Sequence, residues 1–193
     1  MLQHIKDDIP VRQGYSSLYH FFDVFPLPYA LKRVEQLIYT ACSKHYWRNG
    51  SPADGLFFME HLQELCHTVI QLYHHTVPGL AAVDLPGTGM PDILQHTAYV
   101  YPKYMLSPWE CMPRHLTARQ YHEPCRALAK FVQLMPETKW QATLKELLEF
   151  ALSNDSIEGC MELSVVLTVR KRLLQVIEAC HLILVRVTGA PVK

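Results

Sequence analysis

Residues 157–187 read IEGCMELSVVLTVRKRLLQVIEACHLILVRV, and the reading of this stretch decides the fold. From Met161 on, nearly every direction of a helical wheel of about 3.6 residues per turn carries an apolar side chain. Val165, Val166, Val169, Leu173, Ile177, Cys180 and Leu184 make one stripe, while Leu167, Leu174, Leu182 and Ile183 fill other sides. A helix that is apolar almost all round belongs at the centre of a bundle. It is not a membrane span, because Arg170-Lys171-Arg172, Glu178, His181 and Arg186 interrupt every run of the required length. Glu178 and His181 stand one helical turn apart, so both can face one point. A buried carboxylate and imidazole need partners, and this pair is the first functional clue.

Working outward, the whole chain of 193 residues reads as one helical domain. Formal charge is zero, which leaves no electrostatic footprint for nucleic acid or an anionic membrane. The first residues, MLQHIKDD, lack the apolar core of a signal peptide. Six cysteines are scattered without a Cys-x-x-Cys pair, which fits a reduced, cytoplasmic setting better than a disulfide framework. Eleven histidines raise the question of metal.

Residues 1–14 read as a loosely ordered lead, followed by a short helix over Tyr15–Phe25. Pro26 and Pro28 stop it, and Pro28 suits the first turn of a helix over Tyr29–Trp47. Ser51-Pro52-Ala53-Asp54 restarts the chain with an N-cap, a proline at the first helical position and an acid two residues on, opening a helix to about His75. The short connection predicts that these two helices are antiparallel neighbours. Residues 78–116 differ in kind: proline, glycine and aromatic residues dominate, with a short helix expected over Pro91–Tyr99. A connection this long is usually functional or partly structured. Thr117-Ala118-Arg119-Gln120 reads as a second capping box, but Pro124 interrupts, so the helix either kinks there or begins near Glu123, and it continues to about Leu134. Thr138 is expected to cap a helix over 139–153, and Asp155-Ser156-Ile157-Glu158 to cap the central helix over Ile157–Val187. No stretch alternates like a strand. The fold class is therefore all-α: a single-domain, up-and-down bundle of four to six helices with a long crossover segment.

Glu178-Ala179-Cys180-His181 has a twin in Glu64-Leu65-Cys66-His67 on the helix ending at His75. Glu35 precedes the first pair by the same twenty-nine residues that separate Glu149 from the second. Over roughly residues 29–187, this pattern resembles the ferritin-like di-iron carboxylate bundles. The resemblance implies two iron or manganese ions. His67 and His181 would each bind one ion, Glu64 and Glu178 would bridge them, and Glu35 and Glu149 would be terminal ligands. It also implies an oxidase or oxygenase activity, with residues 78–116 over a substrate channel. On the helix ending at His75, however, the apolar stripe runs through Leu62, Cys66 and Val69. That leaves Glu60, Glu64, His67, Gln71 and His74 on a polar face, which is the pattern of a solvated surface. Pro86-Gly87-Thr88-Gly89 lacks the Lys-Ser/Thr of a phosphate loop and follows no strand, so it reads as a turn.

Two functional expectations therefore stand. The first is a partner-binding or regulatory bundle that engages another protein or a second copy of itself. Its contact surface would be the aromatic stretch Tyr99–Pro113, because aromatic residues concentrate in interface cores. The second is the di-metal enzyme that the resemblance implies.

Overall fold

A computed structural model describes residues 9–45, 47, 50–75 and 106–188. The expected helix over Pro91–Tyr99 and most of the proline-rich connection lie outside these residues. Seven α-helices are described: α1 (Ile9–Val24), α2 (Leu27–Ala41), α3 (Pro52–His75), α4 (Ala118–His122), α5 (Cys125–Val132), α6 (Glu137–Leu152) and α7 (Leu163–Thr188). Two single 3-10 turns, Pro108–Cys111 and Ile157–Gly159, precede α4 and α7. No strand occurs among the described residues, and the chain is an all-α bundle. None of its described helices is long and apolar enough to cross a membrane.

The caps show why the helices start where they do. Ser51 and Asp54 bond reciprocally: the Ser51 amide donates to Asp54 Oδ2 at 2.7 Å, and the Asp54 amide to Ser51 Oγ at 3.2 Å. Gly50 precedes this box at φ 121°, and a Cβ there would sit 2.4 Å from Asp54 Oδ2. Both the backbone angle and the space require glycine. Substituting Ser51→Ala is expected to cost about 1 kcal/mol, the usual worth of an N-cap, read as a lowered urea midpoint with an unchanged slope. At α4, the Thr117 side chain accepts from the Gln120 amide, as the capping box predicts. Pro124 then ends α4 and begins α5, so the proline splits one expected helix into two.

Four boundaries differ from the sequence reading, the first being the end of α2, which stops at Ala41 instead of running to Trp47. Helix α1 begins at Ile9, so residues 9–14 are helical rather than a loose lead. Gly14 lets α1 press onto α3, where an added Cβ would lie 2.6 Å from Leu72 Cδ2. Helix α6 starts directly after Pro136, which occupies the cap position without a side-chain bond, and Thr138 caps nothing. Ser156 caps the 3-10 turn instead of the central helix, which begins six residues later than expected, at Leu163.

The two helices joined by residues 42–51 are not side-by-side neighbours. Both pack on α6 instead, and α2 also lies along α7. The cause is visible in the connection: the Trp47 amide donates to the Ala151 carbonyl at 2.8 Å, and its ring is buried. The chain thus crosses the C-terminal end of α6, leaving α2 and α3 on different sides of it. Helices α3 and α6 run antiparallel, with Gln141 bonded to the Gln63 carbonyl and His67 opposite Glu137. Helices α2 and α7 are also antiparallel: Glu35 pairs with Arg170, and Ser156, ahead of α7, bonds the Cys42 carbonyl.

The centre of the bundle is α7, as its composition demands. Every residue from Leu173 to Val185 is buried. Around it lie Leu18 and Phe22 of α1, Val34 and Leu37 of α2, Phe131 of α5, and Leu144 and Leu147 of α6. Trp140 stacks on Phe131, ring centroids 4.0 Å apart, and its Nε1 donates to the Phe131 carbonyl at 3.2 Å. That bond satisfies the indole N–H inside the core.

Candidate functional site

Glu178 is fully buried, and its carboxylate is held by the segment that leads into α4. The backbone N–H of Arg114 donates to Oε1 at 2.8 Å. Those of His115 and Leu116 donate to Oε2 at 2.8 and 3.1 Å. The His115 ring adds a fourth contact, Nδ1 to Oε1, at 2.8 Å. Successive backbone amides curled around one point form an anion-binding concavity, here filled by a carboxylate of the protein itself.

The clasp extends along one face of α7. Gln175 Nε2 donates to the His115 carbonyl at 3.0 Å and to Gln120 Oε1 at 3.3 Å. Arg172 Nη1 donates to Gln175 Oε1 at 2.9 Å. Arg186 Nη1 donates to the Tyr121 carbonyl at 2.8 Å, with its guanidinium 4.8 Å from that ring's centre. Between these polar contacts, Leu182 and Val185 bury against Met112, Leu116 and Tyr121. Residues 172, 175, 178, 182 and 186 recur every three or four positions, so they make one stripe on the helix. That stripe is a docking strip for residues 112–121.

This corrects the reading of Glu178 and His181 as mutual partners. The hydrogen bonds on Glu178 come from residues 114–116, while His181 lies fully buried with its ring edge against Phe22, centroids 5.2 Å apart. Burial lowers the His181 pKa from 6.5 to about 3. With both carboxylate oxygens accepting and no exposure, Glu178 is built to fasten a segment, and it offers no free oxygen to a substrate.

The other residues of the ligand set are not brought to Glu178. Glu35 pairs with Arg170 at the half-exposed α2–α7 seam. Glu64 is exposed on α3. His67 Nδ1 lies 2.7 Å from Glu137 Oε1, both partly exposed. Glu149 is exposed on α6, 3.8 Å from Lys145 Nζ. Helix α3 packs on α1, α5 and α6, whereas the closest packing of α7 is with α1, α2, α4 and α5. Among the described residues, no group of three or more His, Cys, Asp or Glu side chains is placed to hold a metal ion. The donors Glu35, Glu64, His67, Glu149, Glu178 and His181 therefore do not fit a bridged pair of iron or manganese ions. The physical reason is the polar face of α3: its Glu-x-x-His pair turns outward because Leu62, Cys66 and Val69 take the core.

None of the six cysteines is in a disulfide. Burial pushes the Cys125 thiol up to about 11 and the Cys111 thiol to about 12, and raises those of Cys66 and Cys180 further. Thiols held so firmly protonated act as small apolar side chains rather than nucleophiles.

Two surface features remain outside these structural roles. At the start of α7, Leu163, Val165 and Leu167 are 60, 40 and 53% exposed, although the same helix is wholly buried ten residues later. Between α4 and α5 lies an open cavity lined largely by basic and amide side chains. Neither a family model, nor a curated protein, nor a solved structure matches the chain.

Proposed function

We propose that this chain is a protein-binding module that pairs with a second copy of itself through the head of α7. The observation that carries this reading is the change of exposure along that helix. Residues 173–185 are sealed inside the bundle, yet Leu163 and Leu167, one turn apart, face outward. Glu35 opposite Arg170 fixes the register with antiparallel α2, so the neighbouring turn of α2 brings Tyr39, 71% exposed, to the same end. Leaving three large apolar side chains in water here costs solubility and gives the fold nothing in return.

Charge order argues for a second copy as the occupant. Exposed acids Asp155, Glu158 and Glu162 lie on the N-terminal side of the apolar strip, and exposed Lys171, beside the half-exposed Arg170 that pairs with Glu35, on its C-terminal side. A two-fold axis near Val165 sets Leu163 against the partner's Leu167 and brings the acidic end of each copy toward the basic end of the other. A surface self-complementary in this way is what an isologous dimer needs. An interface of standard size, about 800 Å² per partner, extends past the strip onto these charges.

Light scattering over a concentration series tests the proposal. The expected result is a concentration-dependent dimer that Leu167→Asp converts to monomer with unchanged helix content. A buried interface charge is expected to weaken pairing by tenfold or more, about 1.4 kcal/mol or greater. A wild-type chain that stays monomeric at the highest soluble concentration overturns it, as does a dimer indifferent to Leu167→Asp and Leu163→Asp.

A further inference from the structure

We propose that the cavity between α4 and α5 binds a phosphate dianion, either free or as the monoester of a small molecule. The cavity, about 390 Å³, is bordered by Thr117, Arg119 and Gln120 on one side and Arg126, Lys130 and Gln133 on the other. Three of these side chains are cations. Glu123 pairs with Arg126 Nε and offsets one of them, which leaves a net charge of two to be met. A phosphomonoester above its second pKa of about 6 carries that charge in a form that several cations can share, and inorganic phosphate does so at somewhat higher pH.

Gln120 supplies an independent observation. It is only 1% exposed, and its Oε1 already accepts from the Thr117 amide at 2.9 Å, the Thr117 hydroxyl at 3.0 Å and Gln175 Nε2 at 3.3 Å. Three donors on the oxygen fix which end of the amide is which, so the group cannot turn over. Its nitrogen is buried and has no hydrogen-bond partner, and Gln120 lines the cavity. A buried donor left unmade costs free energy that an anion at this spot recovers. The clasp on Glu178 therefore has a second consequence, because the network that ties residues 114–120 to α7 also fixes Gln120, with its unmet N–H donor, in the wall of the cavity that the three cations border.

Titration calorimetry of the full chain with inorganic phosphate, and separately with glycerol phosphate, tests this against sodium chloride at matched ionic strength. Saturable binding is expected with at least one phosphate probe and absent with chloride. Arg119→Ala and Lys130→Ala, both exposed and outside the hydrogen-bonded network, are each expected to weaken it about fivefold to tenfold while leaving the circular dichroism unchanged. Glycerol phosphate binding should weaken as pH falls below about 6 and the dianion takes up a proton. Tighter binding of glycerol phosphate assigns the site to a monoester, and equal binding assigns it to free phosphate. No saturable heat with either probe overturns the proposal, as does binding that both variants leave intact.

Discussion

Replacing Glu178 with alanine is expected to destabilise the fold by about 3–5 kcal/mol, the cost of breaking a buried charge-assisted cluster by removing one partner. The carboxylate is fully buried and accepts from three backbone amides and one imidazole. Alanine leaves those amides facing an apolar hole, and each unmet donor adds its own desolvation cost. Glu178→Gln is expected to cost nearly as much as alanine, because a glutamine keeps one acceptor and turns an NH2 group toward donors. His115→Ala removes one contact of four and should cost less, about 1–2 kcal/mol. Urea unfolding of the three variants gives the ranking, and hydrogen exchange at residues 114–116 locates the loss. If Glu178→Ala unfolds at the wild-type midpoint, the clasp contributes nothing to stability and the segment is held by its apolar contacts alone.

The fold was legible in the sequence wherever a signal was local. The Ser51–Asp54 and Thr117–Gln120 boxes form as read, since both partners lie within four residues. The all-round apolar character of residues 173–185 announced a central helix, and those residues are its buried part. Helix adjacency was not legible, because the ten-residue connection reads as a tight hairpin until Trp47 is seen bonded to Ala151. The head of α7 misled for a related reason: Val165 and Leu167 have core composition but face outward.

The site divides in the same way. Two residues one turn apart invite being read as a pair, yet the groups that hold Glu178 come from residues 114–116, more than sixty positions earlier. Backbone amides carry no letter in a sequence, so a cradle of them is invisible there. One signal was present and unused. Arg172, Gln175, Glu178 and Arg186 put polar groups on one stripe of an otherwise apolar helix, which marks the face where an irregular segment with unpaired backbone groups must dock. The apparent ligand set failed for want of the same check, since matching spacings along the chain did not make the two Glu-x-x-His faces meet.

Acidification is expected to destabilise the protein through His181 well before pH 3, and the sign follows from which state holds the proton. The imidazole is fully buried against Phe22, and burial lowers its folded pKa from 6.5 to about 3. The unfolded chain takes up a proton near pH 6.5, while the folded one refuses it until about pH 3. The stability contributed by keeping this group neutral is therefore complete above pH 6.5 and is lost steadily as pH falls through that window. The limiting slope is about 1.4 kcal/mol per pH unit, or about 2 kcal/mol by pH 5. Other ionisable groups add their own pH dependence, so the test is a difference between wild type and His181→Leu. Any fixed cost of that substitution, from lost packing or a lost polar contact, shifts the whole curve without tilting it. The expected outcome is that stability measured by urea unfolding falls more steeply for wild type than for His181→Leu between pH 6.5 and 4.5. The difference between the two curves then shifts steadily in favour of His181→Leu as the medium becomes more acid. Parallel curves across that range would mean that the folded ring takes up its proton as readily as the unfolded one, contrary to its burial among the side chains of α1 and α7.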